Sequence, residues 1–212
     1  MTTTKRWQVL ARYLLIIVFA ALAGAFVQSR LPVHTKPLMS DSDVMFAQMM
    51  MTHHQQALTI ADLLAPDAAP ELRALANQIT LAQQAEIGTM IGWLQLADKP
   101  LNPVATPAHN HHDMAGMDHP MGAPSMTMPG MASPAELSQL HHATGKANEI
   151  LFLQLMLRHH LGGIDMAAKQ AHESTTEAVR RTALAMADEQ LQETALMQQL
   201  LAVRHAVPLP YP

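Results

Sequence analysis

Two pairs of adjacent histidines, His53-His54 and His159-His160, each follow a methionine, Met50 and Met156, at the same spacing. Downstream of each pair comes a further matched set, Gln83, Glu86 and Met90 in one half and Gln190, Glu193 and Met197 in the other. Thioether sulfur is a soft neutral donor that suits Cu(I) and Ag(I), and imidazole suits Cu(I), Cu(II) and Zn(II), so mixed Met/His sets point to copper before zinc. A third set stands between the two halves. His109, His111, His112, Met114, Met117, His119 and Met121 are followed by Met126, Met128 and Met131, so ten of the 23 residues from 109 to 131 are His or Met. A merely solvated spacer would use Ser, Lys or Glu. This tract reads as a metal collector, with Cu(I) the favoured ion. Cysteine is absent, which removes thiolate nucleophiles, disulfides and zinc-thiolate sites.

The elements that must carry these residues are helices. Hydrophobic residues make up 49% of the 212 but aromatics only 4%. Ala, Leu and Met dominate where a sheet protein would use Val, Ile and Tyr. The segment Asp43-Val44-Met45-Phe46 through His53-His54 recurs as Glu149-Ile150-Leu151-Phe152 through His159-His160, 106 residues later. Each copy reads as two helices joined by a short turn, and the expected fold is an all-α four-helix bundle of two repeated hairpins, residues 41–97 and 133–205. Asp41 or Ser42 is expected to cap the first helix, Ser133 with Glu136 to start another, and Ser174 with Glu177 to form a capping box for the last. Residues 98–132, rich in Pro, Gly, His and Met without periodicity, read as a flexible linker.

Within the hairpins, Phe46, Met50, His53, Ala57, Ile60 and Leu64 form an inward stripe, repeated as Phe152, Met156, His159, Gly163 and Met166. Antiparallel pairing about a turn near residue 67 predicts one layer of Met50, His53, Gln83 and Glu86, with Met156, His159, Gln190 and Glu193 equivalent in the second half. A buried carboxylate needs mutual hydrogen bonding or a metal. Met50, His53, His54, Met90, Met156, His159, His160 and Met197 are therefore candidate ligands, with Gln83, Glu86, Gln190 and Glu193 supporting them. The competing reading is a structural His–Glu network with Met as packing.

Lys5, Arg6 and Arg12 precede an apolar run from Tyr13 to Val27, the order of an export signal. Ala23-Gly24-Ala25 offers a cleavage site, yet the run approaches the roughly 20 residues that span a bilayer. Residues 1–30 thus read as a signal peptide or an inner-membrane anchor, with the rest periplasmic. The net charge of −4 and the lack of a basic stripe exclude nucleic acid as an expected partner.

The Phe-x-x-x-Met-x-x-His-His pattern, then Gln-x-x-Glu-x-x-x-Met, given twice over residues 41–97 and 148–201, resembles the domain-of-unknown-function 305 family. The resemblance implies an exported ferritin-like bundle that binds Cu(I) through Met and His in copper tolerance, with other periplasmic copper proteins or exporters as partners. Leu155 in place of Met49, and Gly162-Gly163 in place of Gln56-Ala57, depart from equal halves. The expected function is a non-enzymatic copper-binding protein. The alternatives are a structural or adaptor bundle, and a di-metal oxidase. The last needs Glu-x-x-His, and Thr89 and Leu196 stand where its histidines would be.

Overall fold

The structure, a computed structural model, describes residues 13–14, 16–21, 37–102 and 128–211. Two compact units are present, Met1–Pro37 and Leu38–Pro212. In the first, residues 13–14 and 16–21 are helical; the rest of the basic and apolar N-terminal segment, and the tract from His109 to Met121, lie outside the described residues. Among the described residues there is no strand, and no helix is long and apolar enough to cross a membrane.

The second unit is all-α. Its helices are α1 (Asp41–Asp62), α2 (Pro70–Leu96), the short α3 (Pro134–His142), α4 (Gly145–Glu173) and α5 (Glu177–Val203). The expected cap of α1 is corrected by one residue: Ser40 is the N-cap, accepting from the Asp43 N–H while the Asp43 carboxylate accepts from the Ser40 N–H. That reciprocal pair satisfies two end groups at once, which neither Asp41 nor Ser42 could do. Ser133 and Glu136 make the same box at α3. The box expected from Ser174 and Glu177 is absent. Thr176 is the N-cap of α5 without a side-chain capping bond: its hydroxyl donates to Asp43 on α1, while the Ser174 hydroxyl donates to Asp43 and accepts from the Thr176 N–H. A break at Ala143–Thr144, with Gly145 at φ 53°, separates α3 from α4.

Helices α1 and α2 form one hairpin, α4 and α5 the other, and α1 packs on α4. The two run antiparallel. At one end Gln170, Ser174 and Thr176 donate to the Asp43 carboxylate at 2.6–2.7 Å. Burial opposes ionisation of Asp43, but these bonds and those from Ser40 outweigh it and hold its carboxyl below the usual range. At the other end Asn148 accepts from Ala65 N–H and donates to the Leu63 and Leu140 carbonyls. Two apolar clusters fill the bundle. One holds Ile60, Leu72, Ile79, Phe152 and Met197, the other Phe46, Met50, Met90, Ala167 and Met186. Buried polar side chains lie between them along each helix, at His53-His54, Gln83, His159-His160, and Gln190 with Glu193.

Residues 128–133 lie as a strap across α1 and α4. The Gln56 amide pairs with both the N–H and the carbonyl of Ala132, at 2.7 and 2.9 Å. Arg158 makes a twofold bond to Glu136 at 2.8 Å, which holds the Glu136 carboxyl down to about 2. Gly162 explains one departure between the halves: a Cβ there would sit 2.0 Å from the Pro129 carbonyl oxygen. At Gly163 a Cβ would instead meet the flexible end of Gln190, at 2.2 Å from its Oε1. Gly162→Ala is therefore expected to lower stability by about 1–3 kcal/mol, since backbone must move, and Gly163→Ala by less. Thermal unfolding of the two variants checks the order.

Candidate metal centre

Four fully buried imidazoles meet midway along the bundle. Two adjacent residues on a helix point about 100° apart, so each His pair sends one ring towards its own hairpin partner and one towards the other hairpin. His54 turns to α2, where its Nε2 donates to Glu86 at 2.6 Å; His160 turns to α5 and donates to Glu193 at 2.8 Å. His53 and His159 face each other instead. Their ring centroids are 3.7 Å apart and the planes are tilted by 31°. This corrects the expected layer: His54 and His160, not His53 and His159, are the partners of the buried glutamates, because the α1–α4 contact claims the first histidine of each pair.

The hydrogen bonds set the tautomers. His53 Nε2 donates to the Pro129 carbonyl at 3.1 Å, and His159 Nε2 donates to the His53 carbonyl at 2.9 Å. With a carbonyl or carboxylate on each Nε2, every ring carries a proton there, and in the neutral rings of His53 and His159 Nδ1 keeps a free lone pair. All four Nδ1 atoms are buried without a partner, as are both amide atoms of Gln83 and of Gln190. No other buried side-chain polar atom of the described residues is in that state. Leaving such a group unmet costs about 1–3 kcal/mol.

Electrostatics favours lone pairs over protons here. Burial, then the neighbouring His54, pushes His53 down to about 3, against a raising bond from Pro129. Burial, then His53, drives His159 well below its ordinary value. A groove of about 550 Å³ between α2 and α5, lined by Gln78, Asp188, Glu189 and Glu193, brings solvent up to the Glu193 carboxylate. Glu189 is pushed up by partial burial and by the charges of Glu86 and Glu193, the mark of crowded negative charge that attracts a cation. Glu189 was not singled out from sequence, although its spacing of four from Glu193 on one helix places the two on one face.

The remaining candidates are distributed differently. Met50 and Met90 are buried in one apolar cluster, Met156 and Met197 in the other, on either side of the layer. Among the described residues no group of three or more His, Asp or Glu side chains is placed to hold an ion. An ion taken up here would draw on one or two imidazoles and on neutral sulfur or amide oxygen, a set that suits a soft monovalent ion. His109, His111, His112, Met114, Met117, His119 and Met121 lie outside the described residues, but both flanks of their tract are held on α1. Gln48 donates to the Pro100 and Asn102 carbonyls, and Gln56 holds Ala132. Those clamps are eight residues apart, ~12 Å along the helix, and neither was anticipated from sequence.

In the metal-free protein, folding must keep His53 and His159 neutral, whereas the unfolded chain protonates them below about pH 6.5. The unfolded state then binds more protons, so stability is full above that pH and falls as pH drops towards 3. The unfolding free energy from urea titration is expected to fall between about pH 7.5 and about pH 5 by roughly 2 kcal/mol per imidazole, and by much less in His53→Gln/His159→Gln.

A family model, Domain of unknown function (DUF305), matches residues 43–201. Among solved structures, a DUF305 protein of Streptomyces coelicolor is 34% identical with a TM-score of 0.67, covering 80% of this chain and 96% of that one. A DUF305 fragment from Deinococcus radiodurans is 28% identical with a TM-score of 0.63, covering 78% and 98%. CopM in the Cu(II)-bound form is 26% identical with a TM-score of 0.57, covering 76% and 96%. CopM in its Cu(I)-bound form, at 23% identity, shares the fold. No curated protein matches the sequence. With the family model spanning both hairpins and the layer between them, the chain belongs to the DUF305 family.

Proposed function

We propose that the protein is an extracytoplasmic copper-binding protein, non-enzymatic, that takes up Cu(I), and also Ag(I) or Cu(II), for sequestration or transfer in copper tolerance. The observation that carries this reading is the set of four buried Nδ1 atoms without partners. Behind His54 and His160 stand Glu86 and Glu193, each on the opposite ring nitrogen. A carboxylate on the far ring nitrogen orients a ligating imidazole and raises its basicity. His54 and His160 are the principal ligands in this proposal, with His53 and His159 beside them and Met50, Met90, Met156 and Met197 as the neighbouring sulfur. Gln83 and Gln190 complete the polar surround. The likeness to CopM, solved with Cu(I), Cu(II) and Ag, supports metal binding.

The Met/His tract from His109 to Met121 is proposed to collect the ion. What supports this is that the described residues on either side of the tract, Pro100, Asn102 and Ala132, are held on α1 by Gln48 and Gln56, which raises the effective concentration of a tethered donor set. Export through the N-terminal segment, either cleaved or retained as an inner-membrane anchor, agrees with the basic-then-apolar order of residues 5–27. Partners of such a carrier are other periplasmic copper proteins or exporters.

The residues from Leu38 onward, one compact unit, are expected to bind Cu(I) against a chromogenic chelator. His54→Ala/His160→Ala should cost about tenfold or more in affinity, and an unchanged isotherm would move the site elsewhere. Deleting residues 104–127 leaves both clamps in place; lower capacity with the tight phase retained is expected, and loss of all binding would assign the ion to the tract alone. One observation favours a second reading, a structural network: every imidazole already uses its Nε2 within the protein. On that reading His53→Ala/His159→Ala lowers the melting temperature and leaves metal uptake intact.

A further inference from the structure

We propose a second, solvent-facing soft-metal site, formed by the thioethers of Met45 and Met49 on α1 and Met166 on α4, for Cu(I) or Ag(I). All three line a groove of about 350 Å³ between the first half of α1 and the second half of α4, floored by Phe46 and closed at one side by Pro129. Met45 is 52% exposed, and Met49 and Met166 are half-buried. Asp165 and Glu173 on the rim favour a cation, with Lys169 opposing them.

The molecule contains its own control. The twofold relation between hairpins maps Met45, Met49 and Met166 onto Leu151, Leu155 and Ile60. There Leu155 and Ile60 are fully buried, Leu151 packs at the edge of the same cluster, and that cluster also takes in Ala132, Leu137 and Leu140 from the strap and α3. Where this position of the bundle is covered, all three residues are branched aliphatics. Where it is open to solvent, all three are methionine. Packing and docking are served by Leu and Ile, as the covered twin demonstrates; what sulfur adds at an open groove is a donor atom. Three neutral thioethers without imidazole or thiolate select a monovalent soft ion over Cu(II) or Zn(II). The site lies beside Pro129, whose carbonyl bonds His53, so an ion held there sits at the edge of the buried layer. This inference shares with the proposed function the premise of soft-metal uptake, but uses different residues.

The test uses the full chain with Ag(I) as probe. Met45→Leu/Met49→Leu/Met166→Ile reproduces the aliphatic twin, so helicity and melting temperature should hold. The variant is expected to bind about one equivalent less Ag(I) than the parent. In the parent, Ag(I) should slow peroxide conversion of these three residues to sulfoxides, read peptide by peptide in a mass spectrometer. Unchanged stoichiometry with unprotected sulfurs would overturn the site and leave the groove as an apolar docking face. If the groove variant loses nothing while His54→Ala/His160→Ala loses silver, only this inference falls. A parent chain that takes up no Ag(I) would remove both readings.

Discussion

The two hairpins meet through a pair of imidazoles that must stay uncharged. His53 and His159 stack at 3.7 Å on the line where α1 crosses α4, and a proton on either would put a charge into the driest part of the bundle. Each ring spends its N–H on a backbone carbonyl, so the tautomer follows, and with it the direction of the lone pairs. The same crossing turns His54 and His160 away, each into its own hairpin and onto a glutamate. Two neutral rings at the crossing and two rings oriented by carboxylates thus share one buried layer.

Around this crossing the molecule is nearly twofold, and its departures from symmetry are informative. Asp43 ties one end of the α1–α4 contact and Asn148 the other. Among the described residues, the strap at 128–133 and helix α3 cover one flank only. Small residues at Gly162 and Gly163 admit the strap and Gln190, where the first half has Gln56 and Ala57. Gln56 has meanwhile become a clamp for Ala132. The uncovered flank carries Met where the covered one carries Leu and Ile, so a single asymmetric segment separates a packed face from an open, sulfur-lined one.

Methionine therefore plays two roles in one protein. Met50, Met90, Met156 and Met197 lie in apolar clusters that brace the histidine layer from both sides, where their volume and flexibility fill the core. Met45, Met49 and Met166 line a groove, Met166 resting also on the edge of the second cluster. Sulfur thus lies at two depths of the bundle, in the core and at its surface.

Fold class, the internal repeat, the hairpins and the Ser133–Glu136 box were legible in the chain, because periodicity and capping are local properties of a few successive residues. The donor chemistry was legible too, since composition alone brings Met and His together and leaves Cys out. Which histidine of each pair meets the glutamate was not: antiparallel counting places residues at the same height, but rotation of a helix about its axis is decided by what it packs against, and α1 packs against α4 as well as α2. Nor was the start of α5, which falls at Thr176 and not Ser174, both hydroxyls donating to Asp43 from far along the chain. Sequence by itself determined what the residues are, how they repeat and at what level they lie; only tertiary packing decided which way each one faces, because that depends on contacts between segments more than a hundred residues apart.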